Sequence, residues 1–259
     1  MLTHQIISYF RFLFRSTNKH GIHSPFVYSL TTLCFNDRKK YPEYDLFKDY
    51  RHALLMDENE IEILDFGAGS RIFKGSHRKI SRIARVAGLT RKRQRLLFRL
   101  SRYLKIERSL ELGTSLGLGT IAIASGVPVS SVSTIEGCPE TLKTAKHYFE
   151  KFNFKNIHPL NETFQEFFAK TDASTKFDLI YIDGDHSGKS TVQYFENLLK
   201  FTHNDTVIIF DDIYWSRGMT DAWHEIISRP EVTVSIDTFQ WGMVFFRKEQ
   251  RKQHFIIRV

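Results

Sequence analysis

The chain has 259 residues, of which 42% are hydrophobic and 25% are charged, and this composition argues against wholesale disorder. The length suffices for one large domain with a substantial core, or for a domain with an extension. Cys34 and Cys138 show no CxxC spacing, which argues against a zinc or disulfide framework and favours a reducing, cytoplasmic location. No long apolar run and no secretory leader is visible, so we expect no transmembrane segment.

The net charge of +8 is concentrated in one segment. Residues 71–105 contain 13 basic side chains and no acidic one. Such a segment can bind the phosphates of an anionic partner, or it can be a solvated helical face. Both interpretations remain open from the sequence.

Residues 1–106 predict a mainly helical, basic extension. Ile6, Phe10, Leu13 and Phe14 share one face of an amphipathic helix, which we expect to dock on the protein. Docking on a partner or a membrane surface is the alternative. The Ser24-Pro25 pair predicts a helix start, and further helical patterns cover 80–87 and 91–105.

From Ser109 onward, short apolar strands alternate with helices, which predicts a parallel sheet covered on both faces. The predicted fold is therefore α/β and Rossmann-like, with seven mostly parallel strands and a terminal antiparallel hairpin, and its domain spans 107–259. The predicted strands cover 109–112, 131–135, 157–160, 177–182, 207–210, 232–236 and 243–247. Helices are predicted mainly over 139–152, 189–201 and 219–227.

Two glycine-rich segments compete as a nucleotide-binding turn, namely 65–69 and 111–119. An adenosyl or dinucleotide site needs a glycine turn after one strand and an acidic residue at the end of the next. Only the second segment is followed by such a strand, which ends at Glu136. We therefore place the site at the second segment.

Acidic residues follow two later strands. Asp183 and His186 follow one predicted strand, and Asp211 and Asp212 follow the next. Converging carboxylates repel one another unless a cation or a proton neutralises them, and oxygen ligands suit Mg²⁺. Helix capping and backbone contacts are the alternative role for each aspartate taken singly.

The second glycine turn resembles the first motif of the class I S-adenosylmethionine-dependent methyltransferases, acidic-x-Gly-x-x-x-Gly. The resemblance implies that the turn binds the methionine part of S-adenosylmethionine, that Glu136 binds the ribose hydroxyls, and that Asn161 and Glu162 lie near the adenine. The residues it assigns to the cofactor are Glu111, Gly113, Thr114, Ser115, Gly117, Glu136 and Asp183.

The acidic clusters resemble those of the metal-dependent O-methyltransferases that act on catechols, caffeoyl-CoA and sugars. By that resemblance Asp183, Asp211 and Asp212 would bind a divalent metal, with Mg²⁺ as the expected ion. His186 would be the base that deprotonates an acceptor hydroxyl, with Lys189 as a competitor. The second cluster lacks the asparagine that the family often carries there.

The function predicted from these residues is methyl transfer to the hydroxyl of a small-molecule or glycan-like acceptor. A nucleic-acid methyltransferase using residues 71–105 is one alternative, although no Asn-Pro-Pro-Tyr motif follows the fourth strand. A methyltransferase-like binding protein without activity is another. The sequence leaves the acceptor and the oligomeric state open, a homo-oligomer included.

Overall fold

The computed structural model describes residues 2–18, 21–64, 76–86 and 88–259. Within them the chain is an α/β protein with ten α-helices and ten strands. The helices are α1 (Leu2–Arg15), α2 (Pro25–Leu30), α3 (Glu43–Leu55), α4 (Ile80–Val86), α5 (Arg91–Tyr103), α6 (Leu118–Gly126), α7 (Pro139–Lys151), α8 (Phe164–Lys170), α9 (Gly188–Leu198) and α10 (Arg217–Ser228). The strands are β1 (Glu60–Glu62), β2 (His77–Lys79), β3 (Arg108–Leu112), β4 (Ser131–Ile135), β5 (Ile157–Leu160), β6 (Leu179–Ile182), β7 (Val207–Asp211), β8 (Val234–Asp237), β9 (Trp241–Phe245) and β10 (Gln253–Ile256).

Some predictions fall on residues that the structure does not describe. The competing glycine turn at 65–69 lies outside the described residues, as do residues 71–75 and 87 of the basic segment. Among the helices that are described, none is long and apolar enough to cross a membrane.

The chain divides into two compact units. One is the continuous segment 37–167, and the other combines residues 1–36 with 168–259. We refer to them as the continuous unit and the composite unit. Since they divide the chain elsewhere than at residue 106, they do not test the predicted boundary there, which stays a prediction.

The continuous unit contains three parallel strands in the order β3-β4-β5. Helix α6 follows β3 and is buried along its whole length, which explains its run of apolar and small residues. Helix α5 packs closely on α6, since a Cβ on Gly126 would lie 2.5 Å from the Cβ of Ser101. The small residues at this crossing therefore let the two helices approach each other.

The basic helix α5 turns its leucines inward, with Leu97 and Leu100 fully buried. Its outer face packs along tyrosine rings: the guanidinium of Arg95 lies 4.6 Å from the ring centre of Tyr44. Arg95, one of the basic residues of segment 71–105, thus makes a cation–π contact within this unit.

The composite unit contains the strand order β10-β8-β9-β7-β6. Strands β6 and β7 are parallel, whereas β9 runs antiparallel to both β7 and β8. The predicted hairpin between the strands now seen as β8 and β9 is therefore confirmed.

The main sheet has eight strands rather than the predicted seven. The additional strand is β10, which pairs in parallel with β8, His254 lying opposite Ser235. β10 is largely exposed, and its four residues include polar as well as apolar side chains. The sequence therefore shows no apolar run there. The predicted mostly parallel α/β fold is confirmed, and the strand count is corrected.

The N-terminal helix faces opposite to the prediction. Phe12 and Ser8 are buried, whereas Ile6, Phe10 and Phe14 are exposed. A polar contact attaches the buried face to α10, since His4 Nε2 lies 2.9 Å from the hydroxyl of Thr220. Leu13, the fourth residue of the predicted face, is half-buried. The expectation that this face docks on the protein was wrong for Ile6, Phe10 and Phe14.

An aromatic and acidic cluster fixes the loop after β7 in the composite unit. The Tyr214 hydroxyl donates to Asp237 Oδ2 at 2.5 Å, and the Phe239 amide donates to Oδ1 at 2.7 Å. Asp237 is almost wholly buried, and burial raises the pKa of its carboxyl, against the lowering effect of the Tyr214 hydrogen bond. The ring of Tyr214 stacks on Phe239 at 5.2 Å.

Helices α9 and α10 meet at two glycines. A Cβ on Gly188 would lie 2.1 Å from the Gly218 carbonyl oxygen, whereas a Cβ on Gly218 would meet no atom closer than 3.8 Å. Because the obstacle at Gly188 is backbone, it cannot move aside as a side chain would.

We expect Gly188→Ala to lower the free energy of unfolding by about 1–3 kcal/mol through overpacking. Gly218→Ala is the matched control, and it should be neutral or stabilising, since alanine favours helix over glycine by up to about 1 kcal/mol. Urea denaturation of both variants measures the difference. Equal stabilities would contradict the assigned contact.

We expect Tyr214→Phe to destabilise the protein at neutral pH by about 1–3 kcal/mol, because it removes a donor from a buried carboxylate. The raised pKa of Asp237 means that the folded state binds a proton more readily than the unfolded state. The loss should therefore shrink as the pH falls through that pKa, where the carboxyl becomes neutral.

Denaturant titrations at neutral pH and at the lowest pH that keeps the protein folded measure this difference. Tyr9→Phe, on an exposed tyrosine, is the control and should change stability by less than about 0.5 kcal/mol. A loss for Tyr214→Phe that does not depend on pH would show that the Asp237 charge plays no part.

Candidate active site

The glycine turn after β3 combines three residues in left-handed backbone conformations. Their φ angles are +103° at Gly113, +47° at Ser115 and +78° at Gly117. The amides of Gly113 and Thr114 both donate to the carbonyl of Ile135, at 2.9 and 3.2 Å. The turn is thereby fixed to the end of β4.

Gly117 begins helix α6 and admits no side chain. A Cβ there would lie 2.4 Å from the Phe149 ring and 2.8 Å from the Tyr50 hydroxyl, in addition to the strain of the positive φ. The Tyr50 hydroxyl donates to the Leu116 carbonyl at 3.0 Å. Phe149 and Tyr50 thus pack closely against the turn and restrict its conformation.

Glu111 is almost completely buried and supports the turn from below. Its Oε2 accepts hydrogen bonds from the hydroxyls of Thr120, at 2.5 Å, and Thr134, at 2.6 Å. The hydroxyl of Thr114 lies 2.6 Å from that of Thr134 and extends this chain into the turn. In this arrangement the predicted cofactor residues Glu111 and Thr114 act through the turn's shape.

Glu136 stands at the carboxyl end of β4. One oxygen accepts the amide of Ser115 and the other the amide of Cys138, each at 3.0 Å. A carboxylate oxygen has two lone pairs and so can accept more than one hydrogen bond. A carboxylate in this position suits a ligand with two neighbouring hydroxyls.

Asn161 follows β5 and reaches the same place. Its amide nitrogen donates to the carbonyls of Glu136 and Gly137, at 2.8 and 3.1 Å. The ends of three parallel strands are thus linked around one spot, where ligands bind in open α/β sheets. This donor set fits the adenosyl ribose that the sequence predicts.

In the composite unit, the loop after β6 holds Asp183, Asp185 and His186. The hydroxyl of Tyr181 donates to Asp183 at 3.1 Å, and that of Tyr194 donates to Asp185 at 2.9 Å. The ring of His186 lies 5.7 Å from that of Trp215. The structure therefore brings the predicted base next to a half-buried tryptophan of the loop after β7.

Asp211 ends β7 and is buried, and its Oδ1 accepts the amide of Asp212 at 2.9 Å. Asp212 has a φ of +50°, which is uncommon for a residue other than glycine. The two aspartates thus shape the loop backbone. Strained positions of this kind occur at functional sites, although they also occur in tight turns.

Across the described part of the chain, no three His, Cys, Asp or Glu side chains are grouped so that they could hold an ion. The metal role of Asp183, Asp211 and Asp212 therefore stays a prediction.

Two tryptophans near these strand ends, Trp215 and Trp241, differ in their exposure. Trp241 is buried, and its ring packs 5.9 Å from Tyr181, so it belongs to the core. Trp215 is partly exposed, beside His186. Only Trp215 is placed to contact a ligand.

Sequence reasoning missed several supporting residues. Thr134 lies within a strand, and Tyr50 lies on a helix 66 positions from its partner Leu116. Alternating polarity in β4, where Ser131, Ser133 and Thr134 interrupt the apolar residues, was the available signal for the first. No local signal marks the second.

Comparison with known proteins agrees with this geometry. A family model described as a methyltransferase domain matches residues 110–213. Among curated proteins, none matches the sequence. The match begins in β3 and ends just after β7, so it contains both the glycine turn and the two acidic clusters.

Three solved structures illustrate the fold. SAH-bound methyltransferase PaMTH1 of Podospora anserina matches with a TM-score of 0.62 and 12% identity, over 88% of this chain and 97% of its own. The O-methyltransferase of Bacillus cereus in complex with SAH matches at 0.54 and 18%, over 84% and 96%. The O-methyltransferase TomG of Streptomyces achromogenes, in complex with SAM, matches at 0.54 and 17%, over 61% and 81%.

The glycine turn resting on Glu136, the match over residues 110–213 and the shared α/β fold agree with one another. Residues 110–213 therefore match a methyltransferase domain model, and the chain shares its fold with solved methyltransferases.

Proposed function

We propose that this protein transfers the methyl group of S-adenosylmethionine to a hydroxyl oxygen of a small-molecule or glycan-like acceptor. The observation that carries the proposal is the Glu136 carboxylate held against the glycine turn by the Ser115 amide. Support comes from the similar structures, two of which are described as O-methyltransferases with SAM or SAH bound.

In this proposal the continuous unit binds the donor. Glu136 accepts hydrogen bonds from the ribose hydroxyls, and the backbone of Gly113 to Ser115 lies along the methionine part. Glu111 is a positioning residue, because its buried carboxylate is engaged by Thr120 and Thr134. Asn161 fixes the loop on the adenine side.

The composite unit prepares the acceptor. S-adenosylmethionine supplies an electrophilic methyl group on a sulfonium sulfur. An alcohol is a poor nucleophile at neutral pH, so a base must take its proton as the oxygen attacks. His186 suits this role because a neutral imidazole can accept a proton as a general base. Trp215, beside it, offers an apolar wall for the acceptor.

The dependence on Mg²⁺ that the sequence predicts stays a prediction, as do the metal role of Asp183, Asp211 and Asp212 and the cofactor role of Asp183. Assays with and without EDTA decide it. The binding of an anionic partner by residues 71–105 also stays a prediction. Nucleic acid is included as one of the acceptors in those assays, because a nucleic-acid methyltransferase is the alternative function. A binding protein without activity would bind the donor and produce no methylated product.

We expect Glu136→Gln to weaken binding of S-adenosylhomocysteine about 10–100-fold, since hydrogen bonds to a charged group contribute about 1.5–3 kcal/mol. Titration calorimetry of the purified chain measures the affinity. Glu140→Gln is the matched control, because Glu140 is partly exposed on α7 and pairs only loosely with Lys143 at 3.6 Å. Wild-type affinity in the Glu136 variant would refute the assigned site.

We expect His186→Asn to lower kcat about 10²–10⁴-fold, the usual contribution of a general base, and to leave the affinity for S-adenosylhomocysteine unchanged. Transfer of a labelled methyl group to catechol-like and sugar hydroxyls, measured against pH, gives both kcat and the ionisation of the base. Lys189→Gln is the control. A large loss in that variant, with none at His186, would transfer the role to Lys189.

A further inference from the structure

Helix α1 presents an apolar face to the outside of the composite unit. Ile6, Phe10 and Phe14 are 48%, 56% and 89% exposed, and their spacing of four residues places them along one side of the helix. Ile7, 46% exposed, widens this face. A contiguous exposed apolar patch of this kind marks an interaction surface in a folded protein.

The opposite face of α1 is firmly attached to the same unit. Gln5 donates to the Trp215 carbonyl at 3.4 Å, and Tyr9 and Phe12 pack against Phe239 at 4.9 and 5.6 Å between ring centres. His4 bonds Thr220 as described above. The outward direction of the apolar face is therefore fixed by contacts on the other side of the helix.

The charges of α1 are all positive. The helix carries Arg11 and Arg15, both exposed, and no aspartate or glutamate, and the charge of Arg15 also acts on the buried carboxyl of Asp237. A further cation lies at its end, where Arg258 donates to the Leu13 carbonyl at 3.4 Å. Aromatic and aliphatic residues on one face, bordered by arginines, are typical of helices that lie in the interface of an anionic membrane.

We propose that α1 attaches this protein to the surface of membranes that contain anionic phospholipids, with Ile6, Phe10 and Phe14 inserted among the lipids. Charge complementarity favours this occupant over a second copy of the chain. A two-fold interface would bring together the same face of two helices that are both positive, whereas anionic headgroups supply the opposite charge.

The test uses the full chain and sedimentation with two kinds of vesicle, phosphatidylcholine alone and phosphatidylcholine with phosphatidylglycerol. We expect binding to the anionic vesicles that weakens as salt is added, and at least tenfold weaker binding to the neutral ones. A double variant, Phe10→Glu with Phe14→Glu, should lose at least tenfold in binding to the anionic vesicles.

The matched control is Tyr28→Glu with Leu33→Glu, which places the same two charges on exposed apolar residues of the same unit, outside α1. It should bind as the wild type does. Urea denaturation of both double variants, compared with the wild type, shows whether the composite unit that contains α1 remains folded.

Three outcomes would overturn the proposal. These are no binding of the wild type to either vesicle, equal binding by the two double variants, and a dimer. In the last case, light scattering would show a wild-type dimer that the Phe10 and Phe14 substitutions dissociate, without vesicle binding. The apolar face would then be occupied by a second copy.

Discussion

The carboxylate of Glu136 and the amides of Ser115 and Cys138 hold together the part of the molecule on which its chemistry depends. The glycine turn leaves β3 through three left-handed residues, a conformation that a chain does not keep without support. The Glu136 carboxylate supports it through the Ser115 amide, and the Tyr50 hydroxyl through the Leu116 carbonyl. Buried Glu111 adds hydrogen bonds from Thr120 and Thr134. One carboxylate therefore fixes the turn, and in the proposed function it also presents acceptor oxygens to the ribose.

In the composite unit, hydrogen bonds from hydroxyls and amides likewise hold carboxylates in place. Its acidic residues sit at the ends of β6 and β7, and several of them are engaged by hydroxyls or amides of their own unit. Asp237 is the extreme case, since it is buried and depends on Tyr214 and Phe239 for its partners. These contacts explain how carboxylates gather near one sheet edge without an assembled ion site among the described residues.

Much of this could be read from the sequence, because buried strands produce apolar runs and a glycine turn produces a recognisable spacing. β7, whose five residues are all buried, matches its predicted bounds to within one residue for that reason. Exposed β10 offered no such run. For α1 the helical period of the apolar residues was visible in the sequence, but the face that packs on the protein was not. The apolar stripe does not identify that face, because His4 and Gln5 supply docking contacts from another side of the helix. Long-range pairs such as Tyr50 with Leu116 leave no local pattern.

The division of the chain has a consequence for its synthesis. Residues 37–167 form an uninterrupted unit, whereas residues 1–36 must wait for residues 168–259 to complete theirs. On the ribosome the continuous unit can therefore complete its strands first. Meanwhile α1 is made before any of its partners Trp215, Thr220 and Phe239 exists. For that interval both faces of this helix are uncovered, and a chaperone or a nearby lipid surface is what the nascent chain would meet.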